Sequence, residues 1–193
     1  MGVLNMQFSD YVAKERHLAH LNLMKHRPHY ERPYETVSAD GSAVSGRCGW
    51  LFIREGSNGW ERQLAGEYAL TEQQLARYQQ HHQQRLQWLA ARAVSYAQVV
   101  FPEKQSVLMH QRWLTPRISD LRPAVQLSAV LGSAFVYPVQ TLSEMAAGAE
   151  LYYRSNSHTC LSGCWHVFLA VCAQLWPERA FDFDLLTLTK TLV

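Results

Sequence analysis

In YAQVVFPEK, residues 96–104, a run of β-forming residues stops at Pro102, which cannot donate a hydrogen bond to a sheet ladder. This pattern predicts a short strand that opens into a polar loop, PEKQS. On its N-terminal side, Thr71 precedes Glu72, Gln73 and Gln74 in a capping-box pattern, in which hydroxyl and amide satisfy free N–H groups, so a helix is expected from residue 72. Leu75, Tyr78, His82, Leu86, Leu89 and Ala93 recur at three- and four-residue steps, predicting a core-facing stripe. Arg77, Gln80, Gln84 and Arg92 fall on the wet side.

The alternation continues outward in both directions. Upstream, CGWLFIREG (48–56) places Trp50, Leu51, Phe52 and Ile53 in a buried strand before a turn at residues 55–59. Downstream come helical spacing from Leu121 to Leu131, a strand in SAFVYPV (133–139), a short helix from Leu142 to Ala147 and a strand in LYY (151–153). A further helix, Leu161 to Leu175, closes at Trp176-Pro177, and the tail FDFDLLTLTKTLV alternates leucine and threonine like a half-exposed strand. Strands apolar on both faces, alternating with helices, define an α/β class with a mostly parallel sheet. Residues 1–45, polar and ending in small residues and glycine, form an arm ahead of a domain spanning 46–193.

A chain of 193 residues supports one domain with a substantial core. The net charge of +2, without a basic run, gives no footprint for nucleic acid. The N-terminal stretch lacks the apolar core of an export signal and no segment is long and apolar enough to span a membrane, so the chain as written is expected in the cytoplasm. Its four cysteines are too few for a disulfide scaffold, and reduced thiols are expected. No cofactor is expected.

Open α/β sheets hold ligands at the carboxyl ends of their strands, where PEKQS and RSNSH (154–158) both fall. A pocket between them would use Lys104 as a charge, His158 as a base and Asn156 as its orienting partner; the plainer reading is solvated loops. His158, Cys160, Cys164 and His166 are all zinc-binding types, but their spacing departs from the common fingers. Cys164 and Cys172 instead share a helix face with apolar neighbours, so thiols filling core volume are the stronger reading and no metal is expected. His17, His20, His26, His29, His81 and His82 have no carboxylate or cysteine framework around them. Ser133 precedes a strand, which is the wrong context for an exposed nucleophile.

Taken in order, CGWLFIREG, LTEQQLARYQQHHQQRLQWLA, VVFPEKQSV and LYYRSNSHTCLSGCW resemble the SGNH-hydrolase-like proteins of bacterial polysaccharide O-acetylation, the alginate acetylation proteins among them. The resemblance covers roughly residues 46–176. It implies a three-layer α/β/α sandwich handling acetyl groups on sugar hydroxyls through a serine, histidine and aspartate set. The family's segment reads Tyr-Tyr-Arg, a threonine, then Asp-x-His-Trp. Tyr153 and Arg154 match it, Asn156 stands at the aspartate, His158 at the histidine and Thr159 at the tryptophan.

By resemblance, then, His158 is the general base, Asn156 its neighbour, and Lys104, Arg154 and Tyr153 line or support the saccharide site. Asparagine cannot stabilise an imidazolium as a carboxylate does; in a serine protease that exchange lowers turnover about 10⁴-fold. The family's nucleophilic serine lies in a downstream Gly-Asp-Ser turn that this sequence does not reach, so the sandwich is expected to be incomplete at its C-terminus. Three readings follow: a fragment of a longer enzyme, a member that binds saccharide without catalysis, or an enzyme whose serine comes from another chain. The competing class is a non-catalytic carbohydrate-binding or assembly protein of exopolysaccharide biosynthesis. The resemblance also implies a periplasmic site of action once an export segment is removed, and LLTLTKTLV is the expected self-association edge, guarded by Lys190.

Overall fold

The structure is a computed structural model that describes residues 35–54, 59–114 and 116–179. The tail strand, the Lys190 edge, most of the N-terminal arm and most of the turn at 55–59 lie outside the described residues. The first described elements are β1, Ala43–Ser45, and β2, Leu51–Ile53, paired antiparallel with Val44 opposite Phe52. Between them a 3₁₀ turn, Arg47–Gly49, reverses the chain, with Cys48 and Gly49 both at positive φ (51° and 75°). Gly46 enters this turn against the Gln111 carbonyl and the Phe52 ring, where any Cβ would collide. The arm-to-domain boundary read from the sequence therefore falls inside a hairpin whose Val44 and Phe52 are both buried.

Helix α1, Trp60–Leu64, leads to α2, Glu72–Ala90, whose start carries the expected capping box: Gln74 N–H donates to Thr71 Oγ1, and Thr71 N–H donates to Gln74 Oε1. The stripe on α2 is covered less than expected. His82 is buried and Leu75, Leu86 and Leu89 are half-buried, whereas Tyr78 is exposed and Ala93 lies beyond the helix at φ 54°. The partner of this face is α4, Pro123–Leu131. Gln126 of that helix clamps Leu70 by accepting from its N–H at 2.7 Å and donating to its carbonyl at 3.1 Å. The helix begins two residues later than Leu121 because Pro123 takes the first helical position, where a missing N–H costs nothing.

Between these helices, β3, Gln98–Val99, pairs in parallel with β4, Phe135–Val136, while α3, Lys104–Val107, and α4 lie in the crossover. α5 is Val139–Met145 and α6 is Leu161–Leu175. The chain is thus mixed helix and strand, with one antiparallel and one parallel strand pair among the described residues. The expected strand at LYY is instead one arm of a narrow loop. Tyr153 N–H donates to His158 O, Cys160 N–H donates to Leu151 O, and Tyr152 bridges Thr159. The Leu151 carbonyl and the Tyr153 N–H thus turn back on their own loop and the Tyr153 carbonyl is taken by Lys104, so a ladder in the expected sheet does not form.

The core gathers Val44, Trp50 and Phe52 from the hairpin, Val107 and Leu108 from the end of α3, Leu142 from α5, Leu151 and Tyr152 from the loop, and Val167 from α6. α6 approaches closely enough that a Cβ on Gly163 would meet the Leu151 carbonyl. No helix among the described residues is long and apolar enough to cross a membrane.

Candidate functional site

Lys104 sits at the first position of α3, delivered there by the Phe101-Pro102-Glu103 exit from β3. It is buried, and its ammonium donates to the carbonyls of Leu51 at 2.6 Å, Tyr153 at 2.7 Å, and Arg154 and Asn156 at 3.0 Å each. With three donors against four acceptors, one bond is shared. The cation also lies over the rings of Trp50 and Phe52, at 4.7 and 5.1 Å. Burial pulls its pKa from 10.5 down to about 7, with Glu150 opposing the shift. Lys104 therefore pins the 153–156 loop to β2, a junction that Leu51 N–H extends by donating to Arg154 O at 2.8 Å.

Two neighbours extend the pin. Gln105 donates to the Ile53 carbonyl and accepts from Arg112 Nη1 at 2.5 Å. Arg112 in turn forks onto both oxygens of Glu35, at 2.5 and 3.0 Å. Opposite them, Glu103 accepts from Tyr137 Oη at 2.7 Å and from Ser106 Oγ at 3.0 Å, and Tyr152 Oη donates to Pro102 O. Burial, followed by the charge of Glu103, raises both the Tyr137 and Tyr152 phenols above the usual tyrosine range.

These segments enclose a cavity of about 860 Å³. Ile53 comes from β2, Trp60 and Leu64 from α1, residues 100–105 from the strand-to-α3 exit, Arg122 to Ala124 from the start of α4, and Tyr152 to Thr159 in part from the loop. Of the residues singled out in the sequence, Lys104, Tyr153, Asn156 and His158 all line it; Arg154 is not among its lining residues. Arg154 instead pairs with Glu150 at 3.1 Å and reaches the Cys48 carbonyl.

Asn156 and His158 are joined through the backbone. Asn156 Oδ1 accepts the His158 N–H at 2.8 Å, an Asx turn that shapes the loop tip, while the asparagine's own carbonyl receives Lys104. The His158 imidazole has no hydrogen-bond partner among the described residues, so nothing there selects its tautomer. No hydrogen bond links a serine hydroxyl to it among those residues. Arg122 and Glu103 are the cavity groups that sequence reading missed. Arg-Pro ahead of an apolar run was the available signal for Arg122, since proline at a helix start places its predecessor at the cap.

The cysteine and histidine cluster separates into individual packing roles. Cys160 Sγ contacts the Glu150 carbonyl and Cys164 Sγ contacts Thr159 Oγ1, while burial lowers the His166 pKa and raises that of Cys172. No disulfide joins the four cysteines, and no three metal-binding side chains converge among the described residues. Searches of family models, curated proteins and solved structures return no match to this chain.

Proposed function

We propose that the chain is an SGNH-like domain of the polysaccharide O-acetylation class, whose cavity binds an acetylated saccharide without turning it over by itself. The observation carrying this reading is that segments separated in sequence, PEKQS and RSNSH, meet at one cavity with Tyr153, Asn156 and His158 on its wall. A pocket of this size with mostly apolar walls and a few polar side chains suits a sugar bearing an acyl group. The finer architecture, a three-layer α/β/α sandwich with β3 and β4 as its parallel pair, belongs to this proposal. So does action in the periplasm.

In this reading His158 is the base that would take a proton from an attacking hydroxyl. It lacks a carboxylate to orient it, because Asn156 is neutral and its Oδ1 holds a backbone N–H. That bond favours the binding role over autonomous acyl transfer, with saccharide-handling proteins as the partners. The test pairs two measurements on the purified chain: calorimetric titration with acetylated and deacetylated oligosaccharide, and hydrolysis of an aryl acetate. Saturable binding of the acetylated form, with hydrolysis at background, is expected. Equal affinity for both forms would remove the acyl-binding reading, and hydrolysis abolished by His158→Ala would restore a catalytic one.

A further inference from the structure

The start of α4 forms one wall of the cavity and carries a cation without an ion-pair partner among the described residues. Arg122, Pro123 and Ala124 all line the cavity, and Arg122 is only 7% exposed. Among the described residues Arg122 forms no ion pair, and its Nε is buried without a hydrogen-bond partner. Buried charges are ordinarily paired, because an isolated cation loses its hydration. A second group repeats the pattern from the opposite segment: Tyr153, 8% exposed and lining the same cavity, has a buried hydroxyl without a partner.

The helix adds its own donors. As the N-cap residue, Arg122 provides no side-chain cap, and the N–H groups of Ala124 and Val125 have no hydrogen-bond partner among the described residues. The residue bearing an unpaired guanidinium, the residue bearing an unpartnered phenol and the positive end of a nine-residue helix thus line one cavity. Lys104 does not compete for an anion there, since its donors are held by carbonyls. Glu103 lines the same cavity and sets an upper limit on the negative charge that fits.

We propose that Arg122, Tyr153 and the N-terminus of α4 form a subsite for the carboxylate of a monoanionic ligand. A planar guanidinium matches a planar carboxylate through two parallel N–H bonds. A dianion would add a second charge to a cavity that already holds the Glu103 carboxylate and whose Lys104 donors are taken by carbonyls. The subsite is independent of the acyl-binding reading, which concerns a neutral group on a sugar.

The test is an amide-resolved NMR titration of the full chain with sodium acetate, against sodium chloride and sodium phosphate at constant ionic strength. Saturable shifts at Ala124 and Val125 with acetate, and not with chloride, are expected. Arg122→Gln should weaken acetate binding about tenfold or more, the loss of a charge-assisted bond pair, and Tyr153→Phe several-fold. Because Arg122→Gln removes an unpaired buried charge, its thermal midpoint without acetate should not fall. Linear, chloride-like shifts, or phosphate binding tighter than acetate, would overturn the proposal. A neutral acetylated oligosaccharide gives a separate arm: binding that persists in Arg122→Gln while acetate binding is lost separates the two sites.

Discussion

One ammonium at Lys104 joins two segments about fifty residues away in sequence on either side, and each can be tested at that atom. Lys104→Met keeps the bulk of the stem but leaves its four carbonyls without this donor, which should cost about 2–3 kcal/mol in urea unfolding. The pH dependence has a defined sign. Burial lowers the folded-state pKa to about 7 from 10.5, so between those values the unfolded chain holds more protons and stability rises with pH. Below that window both states are protonated and this contribution levels off. The difference in urea midpoint between the native chain and Lys104→Met, followed from pH 6.5 to 10 (roughly the Lys104 window), should grow with pH. At the neighbouring tip, Asn156→Asp retains an acceptor for the His158 N–H and should change stability by less than about 0.5 kcal/mol, whereas Asn156→Ala should cost about 1 kcal/mol. Neither change supplies a nucleophile, so Asn156→Asp should leave aryl acetate hydrolysis at background.

Between elements, the contacts depend on close backbone approach and on single polar clamps. Gly163 lets α6 lie against the Leu151 carbonyl, and Gly163→Ala would force that helix and the 151–160 loop apart. A loss of about 2–3 kcal/mol is expected, with NMR shifts spreading to Tyr153 and His158, because the displaced atom is rigid backbone and not a mobile side chain. Gln126→Ala removes both bonds to Leu70 and should cost about 1–2 kcal/mol, loosening α2 from α4. The helices were legible in the sequence because their signals are local: the Thr71–Gln74 box and the three- and four-residue apolar steps of α2 and α6 need no distant partner. Strand pairing was not. Trp50 to Ile53 and LYY carry similar β-forming letters, yet Leu51–Ile53 pairs with Ala43–Ser45 while Tyr152 bridges Thr159 and the Tyr153 N–H donates to His158 across their own loop. The difference lies in which backbone groups meet, and periodicity does not encode that.

Across the whole molecule, the candidate cavity was legible only where polar loops follow short apolar runs of β-forming residues. PEKQS and RSNSH do meet, but the orphaned Arg122 depends on α4 folding back against them, a relation between residues far apart in sequence. The same long reach governs acid stability. Glu35 receives Arg112 at both oxygens and the Leu114 N–H at 3.2 Å, tying the first described residue to the loop after α3, and Arg112 carries the connection through Gln105 to Ile53. Burial works to raise the Glu35 pKa, but the hydrogen bonds from Arg112 and Leu114 and the charges of Arg112 and Arg54 outweigh it, leaving the carboxyl below its ordinary 4.5. The folded state therefore binds the proton less readily than the unfolded chain. Its stabilising effect is complete above about pH 4.5 and is lost as pH falls through the lower folded-state value. Glu35→Gln removes that titration, so its urea midpoint should lie below the native one at pH 7 and converge with it as the solution is acidified towards pH 3, on the order of the carboxylate range. A constant gap between the two curves over that range would mean that the Glu35 carboxylate does not carry the acid sensitivity of the connection between the N-terminal hairpin and the core.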